Sequence, residues 1–236
     1  IEEVTLSSVL EVSRKAGKQA IIKGTELADF QQELADAKII QIVRRSKYIY
    51  FHLEKNHQNK LLVNHLGMSG AWFYVHETHE ISEEKFRKHI HVIFKLNDGM
   101  LLVYADIRRF GEMRLLESEE QFPPLLLMAP EPFDDSALYH FLDLTKLVKY
   151  QNKSIKEVIM DGQVISGCGN IYATEALFRM HIHPARKVSR ISQKRLTEIF
   201  ETVGVVLNES ILVGGSAISD YRNINGEAGS MQHRLQ

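Results

Sequence analysis

Several short stretches of the chain place glycine beside residues that suit nucleic acid. In Asp106-Ile107-Arg108-Arg109-Phe110-Gly111 two guanidinium groups stand next to an aromatic ring in a turn. A guanidinium reaches phosphate or a base edge, and a ring can enter a base stack. The packing alternative pairs one arginine with Asp106 and buries Phe110. In His65-Leu66-Gly67-Met68-Ser69-Gly70 two glycines interrupt a strand, which fits either a bulge with Met68 in the core or an exposed tip presenting Met68 as an apolar wedge. Gly167-Cys168-Gly169-Asn170 is a glycine-rich turn leading into a helix. The free N–H groups and positive dipole end of such a start suit phosphate, although the same turn also serves simply to join helices. Lys47 follows Arg44 and Arg45 on a strand face otherwise made of Ile49, Phe51 and Leu53. An amine partly desolvated there can act as nucleophile or proton shuttle, or snorkel to solvent. Cys168 reads as a small packing residue, with no histidine near in sequence to activate it, and His181 and His183 as surface or capping residues. Gly214 to Gly229 has the composition of a loop, either inert or a lid.

These residues need a scaffold, and the first half of the chain supplies strands. Ile39 to Leu53 alternates, and Leu61 to Val75, His89 to Leu96 and Met100 to Ala105 are further β-rich runs, with Asn97-Asp98-Gly99 as a hairpin signal. Alternation in His89 to Leu96 puts Ile90, Val92, Phe94 and Leu96 on one face and leaves His89 and His91 available on the other. A short helix is expected over Glu26 to Ala37 and a polar connecting loop over Glu77 to Lys88. Prolines 123, 124, 130 and 132 predict a boundary between Gln121 and Phe133. Beyond it, Ser154-Ile155-Lys156-Glu157 has capping-box form and starts a helix that stops at Gly162. Asn170 is expected to cap a helix over Ile171 to Met180. Ser192 caps a longer helix whose apolar stripe runs Leu196, Ile199, Phe200, Val203, Leu207 and Ile211, closed by Gly214-Gly215. The predicted class is α+β, with a β domain over 1–122, a linker over 123–137 and a helical domain over 138–236.

Composition sets the bounds. The 236 residues (27.1 kDa) are 44% apolar and 25% charged, which excludes collagen-like, disordered and coiled-coil classes. No run of apolar residues approaches the length of a membrane span and no signal peptide is visible, so a cytoplasmic protein is expected. The single cysteine leaves no internal disulfide and no thiolate zinc site within these residues. A net charge of −1 and a pI near 6.9 give no bulk signal for a polyanion partner. Residues 1–137 carry 17 basic and 21 acidic side chains, the remainder 12 and 9, a mild asymmetry. Opening at Ile1 and stopping at Gln236 after a turn-rich segment, the chain reads as part of something longer.

Taken together and in this order, the motifs resemble the bacterial formamidopyrimidine-DNA glycosylase family. RRSKY at 44–48, HLGMSG at 65–70, KHIHV at 88–92, DIRRFG at 106–111, APEP at 129–132, IKEVIMDG at 155–162, VISGCGNIYATEALF at 164–178, HPAR at 183–186 and GGSAISDYRNINGEAGSMQHRLQ at 214–236 carry the resemblance. HLGMSG with DIRRFG favours this branch over the similar endonuclease VIII branch. The resemblance implies an N-terminal antiparallel β-sandwich and a C-terminal helical domain with a helix–two-turn–helix motif, acting as a monomer on duplex DNA that contains an oxidised purine or an abasic site. It implies a bifunctional glycosylase and lyase of base-excision repair, which flips 8-oxoguanine or a formamidopyrimidine out of the helix. On the same ground Met68, Arg108 and Phe110 would fill the vacated space, Arg108 facing the orphaned cytosine. His89, Arg109, Lys156 and Asn170 would hold DNA phosphates, a loop including Ser216, Ile218 and Tyr221 would cap the flipped base, and Lys47 would assist at the lesion.

The departures from the family pattern are also expectations. The family nucleophile is the secondary amine of an N-terminal proline followed by a catalytic glutamate, whereas Ile1-Glu2-Glu3-Val4 resembles the strand after that opening. Glu2 is therefore not that glutamate. The catalytic opening, and a four-cysteine finger holding structural zinc, are expected to lie outside these residues. Two alternatives stay open: a lesion-DNA-binding module without a nucleophile, and a phosphate-ligand enzyme built on the turn from Gly167 to Asn170.

Overall fold

The computed structural model describes residues 1–215 and 222–235. It divides into two compact units, Ile1–Phe122 with Ser216–Gly229, and Pro123–Gly215 with Ser230–Gln236. The division between Phe122 and Pro123 lies within the stretch that holds prolines 123, 124, 130 and 132. Residues 222–229 group with the first unit: Tyr74 N–H donates to the Ile224 carbonyl at 3.4 Å, and the Arg222 guanidinium pairs with Glu83.

The first unit contains β1 (Glu3–Leu6), α1 (Ser8–Lys15), β2 (Ile21–Ile22), α2 (Leu27–Leu34), β3 (Lys38–Arg45), β4 (Tyr48–Lys55), β5 (Gln58–His65), β6 (Gly70–Val75), α3 (Glu84–Arg87), β7 (Ile90–Lys95), β8 (Leu101–Asp106) and β9 (Glu112–Leu116). They form a four-stranded sheet in the order β1-β7-β8-β6 and a five-stranded sheet in the order β2-β9-β5-β4-β3. Pairing is antiparallel except between β2 and β9. Trp72 lies in the core they share, its ring centroid 5.1–5.5 Å from those of Phe51, Phe94 and Tyr104, its indole N–H donating to Asn64 Oδ1 at 2.8 Å. Truncating such a buried aromatic costs about 3–5 kcal/mol.

Three local expectations are corrected. The alternating run from Ile39 to Leu53 is a hairpin, with Arg45 opposite Tyr48 and Ser46-Lys47 as its turn. Strict alternation in β7 fails at a bulge between Ile90 and Val92, which turns His91 inward. The polar stretch Glu77 to Lys88 is not a plain loop. It contains α3 and anchors a second apolar cluster on the outer face of the four-stranded sheet through Ile81 and Phe86.

The second unit is helical: α4 (Pro123–Leu126), α5 (Ala137–Thr145), α6 (Val148–Gln151), α7 (Ile155–Met160), α8 (Asn170–Arg179) and α9 (Gln193–Leu212). Within 123–137 the short helix α4 occupies Pro123–Leu126. The Ser154 capping box forms in both directions, worth about 1 kcal/mol. Ser192 Oγ accepts from Arg195 N at 3.4 Å and caps α9. The buried stripe of α9 continues through Val206 and Ser210, leaving Ile211 exposed. Among the described residues no helix is long and apolar enough to cross a membrane.

Candidate nucleic-acid interface

In the first unit the two glycine-bearing motifs fold as neighbouring loops at one end of the strands, residues 66–69 leaving β5 and residues 107–111 leaving β8. Gly67, at φ 65°, lies so close to the second loop that a Cβ there would stand 2.6 Å from the Phe110 carbonyl carbon and 2.7 Å from Gly111 N. A Cβ on Gly111 would overlap the Tyr104 hydroxyl, and one on Gly70 the Leu66 carbonyl oxygen. The glycines therefore permit backbone-to-backbone packing.

Asp106 holds this arrangement. Its carboxylate is fully buried, and Oδ1 accepts from the Ser69 hydroxyl at 2.7 Å. Oδ2 accepts from Gly111 N at 2.7 Å and from the Tyr104 hydroxyl at 3.4 Å. Ser69 Oγ accepts in turn from Arg108 N at 2.8 Å. Asp106 thus ties the loops together rather than pairing with an arginine, and this carboxylate with its serine is what residue-by-residue reading overlooked. Burial and the neighbouring Asp106 charge raise the Tyr104 hydroxyl well above its ordinary pKa, so it stays a donor.

The tips stand free of the core. Met68 is 64% exposed and Phe110 63%, with Arg108 Nη1 3.5 Å from Met68 Sδ. Of the two readings open for these motifs, the exposed tip holds for both. An apolar wedge, a guanidinium and a ring are thus grouped in solvent. Beside them Arg109 takes φ 58°, a left-handed conformation that costs a non-glycine residue about 1 kcal/mol or more and persists only where neighbours impose it.

The histidines separate. His89 is half-buried, its Nδ1–H donating to the Lys85 carbonyl at 2.6 Å, and its own carbonyl accepts from Asp106 N at the start of the second loop. Donation from its other nitrogen to an anion requires the doubly protonated ring. His91, expected to be available, is 3% exposed. Its Nε2–H donates to the Asp106 carbonyl at 3.1 Å while Nδ1 accepts from the Ser7 hydroxyl at 3.1 Å, and burial lowers its pKa. Lys47 sits exposed in the β3–β4 turn rather than on the apolar strand face. It lies close enough to His65 that its charge, after burial, depresses the His65 pKa. His65 Nδ1 accepts from Gly67 N at 3.0 Å, which connects this corner to the first loop.

In the second unit Lys156 and Asn170 line one cleft of about 580 Å³ with Ser154, Glu157, Met160, Asp161, Pro184 and Ala185. Asn170 is the first residue of α8 and Gly169 its cap, so the expected Asn170 cap does not form. Gly167 takes φ 79°, which bends the chain into that helix start. Cys168 is buried in the helical core. Ser216, Ile218 and Tyr221 lie outside the described residues. Among the described residues no group of His, Cys, Asp and Glu could hold a metal ion. The described residues therefore offer no donor set for the structural zinc that the resemblance implies.

The family model for the formamidopyrimidine-DNA glycosylase N-terminal domain matches residues 3–113, and that for the formamidopyrimidine-DNA glycosylase H2TH domain matches residues 128–222. The formamidopyrimidine-DNA glycosylase of Dinoroseobacter shibae is 36% identical over 216 residues, covering 89% of this chain and 74% of the relative. A Lactococcus lactis Fpg variant in complex with Fapy-dG-containing DNA superposes with a TM-score of 0.80 at 27% identity, over 100% of this chain and 79% of the other. MutM (Fpg) from Thermus thermophilus gives a TM-score of 0.77 at 26% identity, over 99% of this chain and 77% of the other.

Proposed function

The chain belongs to the formamidopyrimidine-DNA glycosylase family, and we propose that it is a base-excision DNA glycosylase that removes oxidised purines from duplex DNA and then cleaves the strand. The observation that carries this reading is the paired loop: Asp106 fixes two backbones against each other so that Met68, Arg108 and Phe110 project together from a rigid base. An unstacked base leaves an apolar gap and an unpaired partner. Two wedges and a planar hydrogen-bond donor are the groups that fill such a gap. That solved relatives are complexes with Fapy-dG-containing DNA and with DNA containing an abasic site supports the substrate class.

In this reading Arg108 faces the orphaned cytosine, Met68 and Phe110 occupy the vacated stack, and His89, Arg109, Lys156 and Asn170 hold phosphates. The chemistry begins with an amine attacking the sugar C1′. The bond from C1′ to the purine breaks, the base leaves with a proton, and the sugar opens as a Schiff base. Electron withdrawal by that iminium allows a proton to be lost from C2′ and the 3′-phosphate to leave, and then the 5′-phosphate. The resemblance assigns the attacking amine to an N-terminal proline. Lys47, exposed in its turn beside His65, would assist at the lesion.

Incubating protein made from its complete reading frame with a duplex containing 8-oxoguanine opposite cytosine tests the reading. Release of the free base with strand ends phosphorylated on both sides is expected. An intact duplex after prolonged incubation with folded protein would refute it.

A further inference from the structure

The basic side chains of the second unit are unevenly used. Arg179 is held by Glu175 and Glu209, Arg195 by Glu198 and Lys146 by Asp143. Among the described residues Lys153, Lys156, Arg186, Lys187 and Arg190 have no carboxylate at ion-pairing distance. Lys149 and Lys194 also have none and lie elsewhere, whereas the other five fall in two adjoining segments. Ser154 forms an antiparallel bridge with Lys187, Ile155 N–H donates to the Arg186 carbonyl at 2.8 Å, and Val188 N–H donates to the Lys153 carbonyl at 3.1 Å. Lys156 N–H donates to the Pro184 carbonyl at 3.2 Å. This bridge sets Lys153 near Arg186 and Lys187, with Lys156 in the first turn of α7 and Arg190 in the 3-10 turn that follows, next to the cleft that Lys156, Asn170, Pro184 and Ala185 line.

The two carboxylates in that cleft are committed elsewhere. Glu157 accepts from the backbone N–H and hydroxyl of Ser154, and Asp161 from Gln163 N and the Tyr150 hydroxyl. Arg186 is steadied by an Nε–H bond to the Arg190 carbonyl at 3.2 Å, which leaves its terminal nitrogens to point outward. Lys187 and Arg190 are exposed.

We infer that Arg186, Lys187 and Arg190 form a backbone-gripping track that continues from Lys156 and Asn170 and binds duplex DNA phosphates without regard to sequence or lesion. This rests on the glycosylase reading and adds to it a longer electrostatic footprint. Uncompensated cations held by a backbone bridge neutralise phosphates and release counterions, and each contact steepens the salt dependence of binding.

The test measures duplex affinity across a salt series for the full-length protein and for Arg186→Gln/Lys187→Gln/Arg190→Gln, on undamaged and 8-oxoguanine duplexes. The slope of log K against log salt should flatten by about 2–3, and affinity at 0.1 M salt should fall roughly 10- to 500-fold, equally on both duplexes. A variant with the exposed lysines Lys18, Lys38 and Lys95 changed to Gln should keep the parental slope. Lys187→Gln alone, flattening the slope by about 1, serves where the triple variant is unstable. An unchanged slope, or one that changes only on the damaged duplex, overturns the track while leaving the glycosylase reading intact. Absence of salt-dependent duplex binding by the parental protein would overturn both.

Discussion

The Ser69 hydroxyl donates to Asp106 at 2.7 Å across 37 residues of sequence, and the same oxygen accepts the Arg108 N–H. One buried carboxylate thereby sets the distance between the loop bearing Met68 and the loop bearing Arg108 and Phe110. Asp106 touches solvent nowhere, so it acts through the tips it holds and is a positioning residue.

Asp106→Asn places an N–H where only acceptors fit, against either the Ser69 hydroxyl or Gly111 N. A cost of about 2–3 kcal/mol in urea unfolding is expected from a hydrogen bond to a buried charge. A positioning role adds a second effect. Excision of 8-oxoguanine, which needs the base displaced, should slow more than cleavage at a preformed abasic site, which has no base to displace. Equal slowing of both would reduce Asp106 to a purely structural part.

Gly111→Ala directs a methyl group at the Tyr104 hydroxyl. It should cost about 2 kcal/mol or more, and Tyr104→Phe, which removes that oxygen, should recover part of the loss. Strict additivity in the double-mutant cycle would show that the glycine is not needed for close approach.

Met68 and Phe110 are mostly exposed, so Met68→Ala and Phe110→Ala should leave stability within about 0.5 kcal/mol of the parent. Excision should nevertheless fall roughly 10- to 100-fold in each, because an unstacked step costs a few kcal/mol that the wedge offsets. Thermal unfolding and single-turnover excision measured together separate the two effects. Unaltered excision would remove these side chains from the proposed role.

Acid should weaken the first unit. Burial holds His65 and His91 below their ordinary pKa, with the Lys47 charge adding to the effect at His65. As pH falls through about 6.5 the unfolded chain binds protons that the native state refuses, so the unfolded state becomes favoured. The stabilisation is complete above that value and declines until the native histidines also protonate. Urea midpoints between about pH 8 and pH 5 should therefore fall on acidification, and less steeply in His91→Gln. A flat profile would contradict the neutral, buried assignment.

What the sequence revealed depended on how local each signal is. The Ser154 capping box, the Ser192 cap and the Asn97-Asp98-Gly99 turn act over three or four residues, and all three formed. The glycine motifs showed that two loops were special, but not how they meet. Asp106 reads as an arginine partner until Ser69 and Gly111 are brought beside it. His91 was misplaced because a bulge adds one residue to the strand and reverses its direction. The stretch Glu77 to Lys88 is polar on average, yet Ile81 and Phe86 anchor it. The helix over Glu26 to Ala37 formed as α2, but the first 25 residues carry little signal, since β1 pairs with β7, remote in sequence, and β2 contributes only two residues.

Borohydride trapping captures the proposed Schiff base itself. Protein made from the complete reading frame is mixed with a duplex containing 8-oxoguanine opposite cytosine and reduced with borohydride, which fixes any Schiff base between an amine and the opened sugar. A covalent protein–DNA adduct is expected to form with the parental protein, to form more slowly with Phe110→Ala, and to be absent on undamaged duplex. No adduct from folded, duplex-binding protein would contradict the proposed function.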